Sequence, residues 1–91
     1  MSKQKETVTR IIDGDTFRTA SRKHPVRLAN VDAPEKGKSG SAKATQALRN
    51  LIQGKQVQIY TVARDSYRRS VANVKVDGKS VNRAMNQKLK K

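Results

Sequence analysis

The chain has 91 residues, 34% of them hydrophobic, and its 21 lysines and arginines outnumber 7 acidic residues to give a formal net charge of +14. This length leaves room for one small domain over 1–91 and not for two hydrophobic cores. The absence of cysteine excludes disulfides and thiolate zinc sites, and no apolar run approaches the roughly 18 residues that a membrane span requires.

The first part of the chain predicts three strands. β-forming residues predict strands over 7–12 and 16–20, joined by the turn formers Asp13-Gly14-Asp15. After a polar connection, alternation predicts a third strand over 26–31, which ends before Pro34. Alternation assigns one face of this strand to Val26, Leu28 and Asn30 and the opposite face to Arg27, Ala29 and Val31.

A helix is predicted after the third strand and a basic, mobile loop over 36–40. Apolar residues recur at spacings of three and four from Ser41 onward, with Ser39 or Ser41 as the cap and Gly54 just past the end. The apolar face consists of Ala44, Ala47, Leu48, Leu51 and Ile52.

Two more strands and a second helix complete the predicted elements. The strands are expected over 57–61 and 71–76, and the second helix begins at Ser80. The two ends of the chain, 1–6 and 87–91, are expected to be disordered.

The order of these elements predicts a mainly β (α+β) fold. Three strands, a helix, two strands and a helix is the order of the five-stranded oligonucleotide/oligosaccharide-binding (OB) barrel, with one helix between strands 3 and 4 and one at the C-terminus. The same order fits a small SH3-like barrel or an irregular α+β sheet, so the fold depends on what the motifs add.

Four of the seven acidic residues fall in two short clusters, Ile12-Asp13-Gly14-Asp15-Thr16 and Val31-Asp32-Ala33-Pro34-Glu35. In so basic a chain, carboxylates beside a polyanion-binding surface would repel phosphate. A divalent cation between the carboxylates and a phosphate would offset this repulsion, because hard cations take oxygen ligands from both. The clusters therefore indicate metal-dependent hydrolysis of phosphodiesters.

Each part of that reaction has a candidate residue. Asp15 and Asp32 lie at strand ends and are candidate metal ligands, while Glu35 can reach over the same site as the general base. Arg27 and Arg69 are always charged and can donate forked hydrogen bonds to phosphate oxygens.

Four motifs stand in order at intervals that match a known family: Ile12-Asp-Gly-Asp-Thr16, Val26-Arg-Leu-Ala-Asn-Val-Asp-Ala-Pro-Glu35, Asp65-Ser-Tyr-Arg-Arg69 and Asp77-Gly-Lys-Ser-Val-Asn82. Through these motifs the chain resembles the staphylococcal nuclease (thermonuclease) family, from about Val8 to about Met85. The resemblance implies a calcium-dependent endonuclease on an OB barrel that cuts DNA and RNA with little sequence preference and leaves 3′-phosphate ends.

The resemblance also implies a role for each matching residue. It assigns calcium binding to Asp15, Asp32 and the backbone carbonyl of Ala33, the general base to Glu35, the phosphate contacts to Arg27 and Arg69, and a place beside the substrate to Tyr67; Asp13 is a supporting residue. Arg68, Lys36 and Lys38 add positive charge around the expected substrate path and are further candidates for substrate binding.

The chain departs from the family pattern in three places. Ala33 stands where several members have threonine, and a backbone ligand survives that change. Arg68 replaces a common glycine, which removes an easy positive-φ position and adds bulk beside the phosphate contact. The third helix of longer members has no counterpart, which predicts weaker substrate binding and lower stability.

Two other classes of function remain open. The main alternative is a catalytically weak or inactive barrel that binds single-stranded DNA or RNA, and the other is a basic structural protein of a nucleoprotein particle. The paired acids favour hydrolysis, since a pure binder has little physical reason to keep them, and three aromatic rings are few for base stacking. We expect a monomer without membrane or disulfide-linked partners, cytoplasmic as the sequence stands and secreted if a leader has been removed.

Overall fold

The structure is a computed structural model that describes residues 5–35 and 37–89. Its elements are β1 (Lys5–Asp13), β2 (Thr16–Thr19), β3 (Val26–Leu28), α1 (Ser41–Ile52), β4 (Gln56–Arg64), β5 (Ser70–Val76), β6 (Lys79–Ser80) and α2 (Val81–Leu89). The strands form one sheet in the order β3-β2-β1-β4-β5-β6, and a parallel pairing of β3 with β5 closes β1 to β5 into a ring. The predicted five-stranded OB-like barrel is therefore confirmed, with a helix between β3 and β4 and another at the C-terminal end.

The hydrophobic core fills the ring and extends under both helices. One face of α1 buries Ala44, Leu48 and Ile52, and α2 contributes Val81 and Met85. The largest fully buried side chains are Phe17, Leu28, Leu48, Ile52, Ile59 and Met85. Burial of these faces is the main favourable term in folding, because both helices are short for independent stability in water.

The third strand is shorter than the sequence predicts. Alternation fails after Leu28, because Asn30 has φ 60° and lies in the left-handed region, which asparagine tolerates better than most residues. Ala29 and Val31 are both buried as a result, while Asn30 is exposed. The predicted sharing of one face by Val26, Leu28 and Asn30 is therefore wrong at its last position.

The start of α1 also differs from the prediction. Gly40, with φ 85°, is the N-cap and provides no side-chain hydrogen bond, and Ser41 is already the first helical residue. The predicted cap at Ser39 or Ser41 is therefore wrong. The Ser41 N–H instead donates to the Lys38 carbonyl at 3.1 Å, so the preceding turn satisfies part of the helix end.

Ordered structure reaches closer to both ends than predicted. β1 already includes Lys5 and Glu6, and α2 continues through 87–89. Glu6 is held by Arg22, whose Nε donates to Oε1 at 2.7 Å, and Leu89 packs against the core. A short strand, β6, also pairs with the edge of β5, and α2 begins at Val81, one residue after the predicted start of the second helix.

Candidate functional site

The turn between β1 and β2 requires glycine at position 14. A Cβ atom there would lie 2.6 Å from the Ala44 Cβ and 2.7 Å from the Ala33 Cβ, which is too close for any other residue. The Asp13 carboxylate accepts a hydrogen bond from the Asp15 N–H at 3.0 Å and so fixes the turn. The turn is thereby seated between α1 and the segment after β3, with Asp13 in a supporting role.

Asp15 is buried and connects this turn to the second acidic cluster. Its Oδ1 accepts a hydrogen bond from the Thr16 hydroxyl at 2.8 Å, and its Oδ2 accepts one from the Ala33 N–H at 3.1 Å. Burial raises the pKa of Asp15, and the neighbouring Asp13 raises it further, whereas the hydrogen bonds from Thr16 and Ala33 oppose the rise. A cation at this carboxylate would favour its charged form.

Arg27 brings the two acidic clusters together. Its Nη2 lies 3.0 Å from Oδ1 of Asp32 and 3.5 Å from Oδ2 of Asp15, and its Nη1 donates to the Leu28 carbonyl at 3.1 Å. The two carboxylates differ in environment, because the Asp32 side chain is 95% exposed and that of Asp15 is 10% exposed. Carboxylates from two separate segments thus converge on one guanidinium nitrogen.

The loop between β4 and β5 positions the second arginine. Asp65 accepts hydrogen bonds from the backbone N–H groups of Tyr67 and Arg69, at 2.9 and 3.0 Å, and from Nε of Arg69 at 2.6 Å. Desolvation raises the pKa of Asp65, but these hydrogen bonds from Arg69 and Tyr67 outweigh it and hold the pKa below its usual value. The Arg69 guanidinium also lies 5.2 Å from the centre of the Tyr67 ring, a cation–π distance.

Asp65 is a positioning residue to which the sequence assigned no role. The available signal was an aspartate at the start of a turn. It accepts hydrogen bonds from the backbone N–H groups two and four residues later, those of Tyr67 and Arg69. Without the structure, that pattern is indistinguishable from ordinary turn chemistry.

Strand pairing relates the two arginines to each other. The parallel register of β3 and β5 sets Val26 beside Ser70 and Arg27 beside Val71. Arg69 directly precedes β5, and continuing the alternation of that strand by one residue places it on the same face as Val71 and Arg27. The predicted pair of phosphate-binding arginines therefore shares one surface of the barrel.

The remaining candidates lie in the segment after β3 and in the β4–β5 loop. Glu35 is exposed just beyond Pro34, and its carbonyl accepts a hydrogen bond from the N–H of Lys38, which is also exposed. Tyr67 is 75% exposed. Arg68 is exposed with φ 63°, so it occupies the left-handed conformation that glycine would adopt without strain. Lys36 lies outside the described residues.

The site offers oxygen ligands of the kind that hard divalent cations prefer. Among residues 5–35 and 37–89, no group of three or more His, Cys, Asp or Glu side chains is arranged to hold a metal ion by side chains alone. Asp15 and Asp32 converge as a pair, and the backbone of Ala33 lies beside Asp15. Two carboxylates and a backbone carbonyl are an oxygen donor set that fits Ca²⁺.

No helix in the described part of the chain has the length and apolar character needed to cross a membrane.

Comparisons with known proteins agree with this geometry. The family model described as "Staphylococcal nuclease homologue" matches residues 25–88. The chain is 37% identical over 81 residues to an "Uncharacterized endonuclease" of Escherichia coli O157:H7, covering 86% of this chain and 53% of that protein. It is 38% identical over 69 residues to a "Micrococcal nuclease" of Shigella flexneri, covering 74% of this chain and 40% of that protein.

A third relative extends the match along the chain. An "Uncharacterized endonuclease" of Haemophilus influenzae is 34% identical over 89 residues, which cover 92% of this chain and 50% of that protein. The chain spans about half the length of the curated relatives it matches.

Proposed function

The chain belongs to the staphylococcal nuclease family, and from this premise we propose that it is a calcium-dependent endonuclease that hydrolyses DNA and RNA with little sequence preference and leaves 3′-phosphate ends. The observation that carries the proposal is the convergence of Asp15 and Asp32 on Arg27, at 3.5 and 3.0 Å. A binding protein would need no more than one carboxylate to orient Arg27, and a second one at this point adds repulsion of the phosphate backbone.

In this proposal the two carboxylates and the backbone carbonyl of Ala33 hold Ca²⁺. When bound there, Ca²⁺ would supply a Lewis acid that offsets the charge of the phosphate and favours deprotonation of a water molecule. The ordered turn at Gly14 and the Ala33 hydrogen bond hold Asp15 in place before the ion arrives. The site therefore requires little rearrangement of the buried carboxylate, which supports selective binding of a hard cation.

Arg27 and Arg69 contact the phosphate that is attacked. Both guanidinium groups are held on one face of the barrel by carboxylates, Arg27 by Asp15 and Asp32 and Arg69 by Asp65. Each retains N–H groups that can donate to phosphate oxygens, and the extra negative charge of a five-coordinate phosphorus strengthens those bonds in the transition state.

Glu35 accepts the proton of the attacking water. The new P–O bond forms from the water oxygen, the bond from phosphorus to the 5′ oxygen breaks, and the leaving oxygen takes a proton from solvent. The products are then a 3′-phosphate and a 5′-hydroxyl. The exposure of Glu35 beyond Pro34 leaves its carboxylate accessible for this exchange.

Tyr67, Arg68 and Lys38 extend the contact with the nucleic acid. The exposed Tyr67 ring offers a face for stacking with a base, which is tolerant of sequence because every base has a π face. Arg68 and Lys38 are exposed cations that add attraction for neighbouring phosphates. Lys36 is a proposed contact of the same kind.

The first prediction is that cleavage depends on calcium and on Glu35. Plasmid and single-stranded DNA should be cut in calcium and left intact in excess chelator, and Glu35→Gln should lower the rate by at least about 100-fold, as expected for loss of a general base. Asp77→Asn is the matched control, because it changes an exposed carboxylate in the β5–β6 turn and should cut like the wild type. Products should accept polymerase extension only after phosphatase treatment.

Cleavage that persists in chelator and in Glu35→Gln would overturn this mechanism. If no substrate is cut under any condition while DNA is still retained on a gel, the protein is a nucleic-acid-binding barrel without hydrolytic activity.

A further inference from the structure

A groove lies between β1 and α1, next to the candidate site. Its volume is about 510 Å³, and most of its lining side chains can donate hydrogen bonds. The polar residues that line it are Thr9, Arg10, Ser41, Thr45, Gln46, Arg49 and Gln53. We call it the β1–α1 groove.

The cations at this groove have no acidic partner within the described residues. Arg49 donates only to the neutral Gln46 side chain, at 3.0 Å, and Arg10 forms no ion pair. By contrast, Arg22, Arg27 and Arg69 each lie within 3.5 Å of a carboxylate. Residues 36–64 include no aspartate or glutamate at all, so α1 provides no negative charge to the groove.

Strand register adds an uncompensated repulsion at the same place. Arg10 lies directly opposite Arg18 in the antiparallel pairing of β1 with β2. Like charges at directly opposite positions destabilise a sheet. Arg18 donates to the Lys23 carbonyl at 3.4 Å and, within the described residues, to no carboxylate. The arrangement is unfavourable in the protein alone and becomes favourable when an anion lies between the cations.

A bulge in β1 turns two neighbouring side chains, Thr9 and Arg10, toward solvent. The register with β2 shifts between Val8 and Arg10, and Thr9 and Arg10 are consecutive exposed residues. In a regular strand one of two neighbours would face the core. Bulges of this kind re-aim side chains and are frequent near functional sites.

The groove lies next to the turn that carries Asp15. Two of its lining residues lie beside that turn: Ile12 directly precedes Asp13, and Ser41 is the first residue of α1. Gly14, in the turn itself, lies close to Ala44 of the same helix. From Ser41 to Arg49 the helix rises about 12 Å. For a strand stacked as in a duplex, that length corresponds to about three nucleotides at roughly 3.4 Å each.

We propose that the β1–α1 groove is an accessory binding site for the phosphate backbone of the nucleic-acid strand. Arg10 and Arg49 in the groove, and Arg18 beside it on β2, contact phosphates about three nucleotides away from the bond that is cut. The proposal rests on the proposed function in one respect, namely that the ligand is a nucleic acid. It does not depend on whether the nucleic acid is cut. The hydroxyl and amide groups of Thr45 and Gln53 supply additional neutral donors, and none of these contacts reads base identity.

The test is the salt dependence of binding to a fluorescent 20-nucleotide single strand, measured by anisotropy in excess chelator so that no cutting occurs. Arg10→Gln/Arg49→Gln removes two cations from the groove. The matched control, Lys75→Gln/Lys79→Gln, removes two exposed cations from β5 and β6, which β4 separates from β1. Two lost phosphate contacts should reduce the slope of log K against log salt by about 1.4, at about 0.7 for each contact to a single strand.

The binding measurements have one outcome that supports the accessory site and two that overturn it. A smaller slope in the groove variant alone, together with a smaller difference in affinity between 20-nucleotide and 3-nucleotide strands, supports the accessory site. Equal changes in both variants would overturn it, because only the overall charge would then matter. An absence of binding by the wild type would overturn it as well. A protein that binds as described and never cuts would disprove the nuclease and leave the groove intact.

Discussion

At the scale of single residues, Arg68 is a departure from the family pattern that costs conformational free energy. The sequence identified it as an arginine where glycine is common, and the structure places it at φ 63° in a turn whose geometry Asp65 fixes. A side chain in the left-handed region costs on the order of 1 kcal/mol relative to glycine. Its guanidinium is exposed and close along the chain to the proposed phosphate contact, so the strain accompanies an added positive charge.

We therefore predict that Arg68→Gly stabilises the free protein and weakens its binding to DNA. The gain should be about 0.5–1 kcal/mol in the free energy of unfolding by urea, after the greater flexibility of glycine in the unfolded chain is subtracted. Arg68→Ala is the control, because it removes the same charge but keeps a Cβ at positive φ. Equal stabilities of the two variants would show that backbone conformation is not the source of the effect.

The same scale separates what the sequence could predict about the site from what it could not. The proximity of Asp15, Asp32 and Arg27 was predictable, because acids at strand ends of so basic a chain are typical of a site that joins a cation to phosphate. The chemical roles of these three residues stay predictions, as do those of Glu35, Tyr67 and the other candidates. Asp65 was not predictable as the residue that orients Arg69, because an aspartate at the start of a turn is common for structural reasons alone.

At the scale of elements, one buried polar side chain of α2 adds hydrogen bonds to the apolar contacts that Val81 and Met85 make with the barrel. The Asn82 amide donates to the carbonyls of Ala29 and Ala72, at 2.9 and 3.0 Å, and its carbonyl accepts from the Val74 N–H at 2.8 Å. These bonds join the helix to β5 and to the segment that leads from β3 to Asp32. Asn82 thus connects a C-terminal element to the base of the candidate site.

We predict that Asn82→Ala destabilises the protein by about 2–4 kcal/mol, because buried backbone groups lose their partners. Urea unfolding monitored by circular dichroism gives the measurement. Asn86→Ala is the control, since its single hydrogen bond to the Asn30 carbonyl is exposed and its loss should cost less than about 1 kcal/mol. A loss for Asn82→Ala no larger than that of the control would refute this role.

Element types and their order were predictable from periodicity, but several boundaries were not. β3 ends early because Asn30 adopts a left-handed conformation, and the segment after it is held by Asn82 from more than 50 positions away. Glu6 belongs to β1 because Thr19, Ser21 and Arg22 all donate to its Oε1. Each of these causes is a tertiary contact, which alternation and local propensity do not contain.

At the scale of the whole molecule, charge is distributed unevenly over the barrel. Within residues 5–35 and 37–89, four of the seven acids form ion pairs with arginines, two of them at the candidate metal site. Neither α1 nor α2 carries an acid. The ion-paired acids lie in β1, at the candidate site and in the β4–β5 loop. The surface that includes both helices and the β1–α1 groove is cationic.

This distribution predicts that added salt stabilises the protein. At 0.01 M ionic strength the screening length is about 30 Å, so charges across the molecule, whose longest axis is 40 Å, repel one another. At 0.15 M the screening length falls to about 8 Å, and the repulsion implied by the net charge of +14 is largely removed. The midpoint of thermal unfolding should therefore rise by several degrees between these conditions, because 1 kcal/mol shifts it by about 4–8 °C in a domain of this size.

The control for this prediction is Lys75→Gln/Lys79→Gln, which lowers the net charge without touching an ion pair. Its midpoint should rise less with salt than that of the wild type. The ion pair between Glu6 and Arg22 opposes the trend only weakly, because both side chains are mostly buried and salt screens a buried pair less than an exposed one. A midpoint that falls as salt is added would show that the ion pairs, and not the excess of positive charge, dominate the electrostatics of this fold.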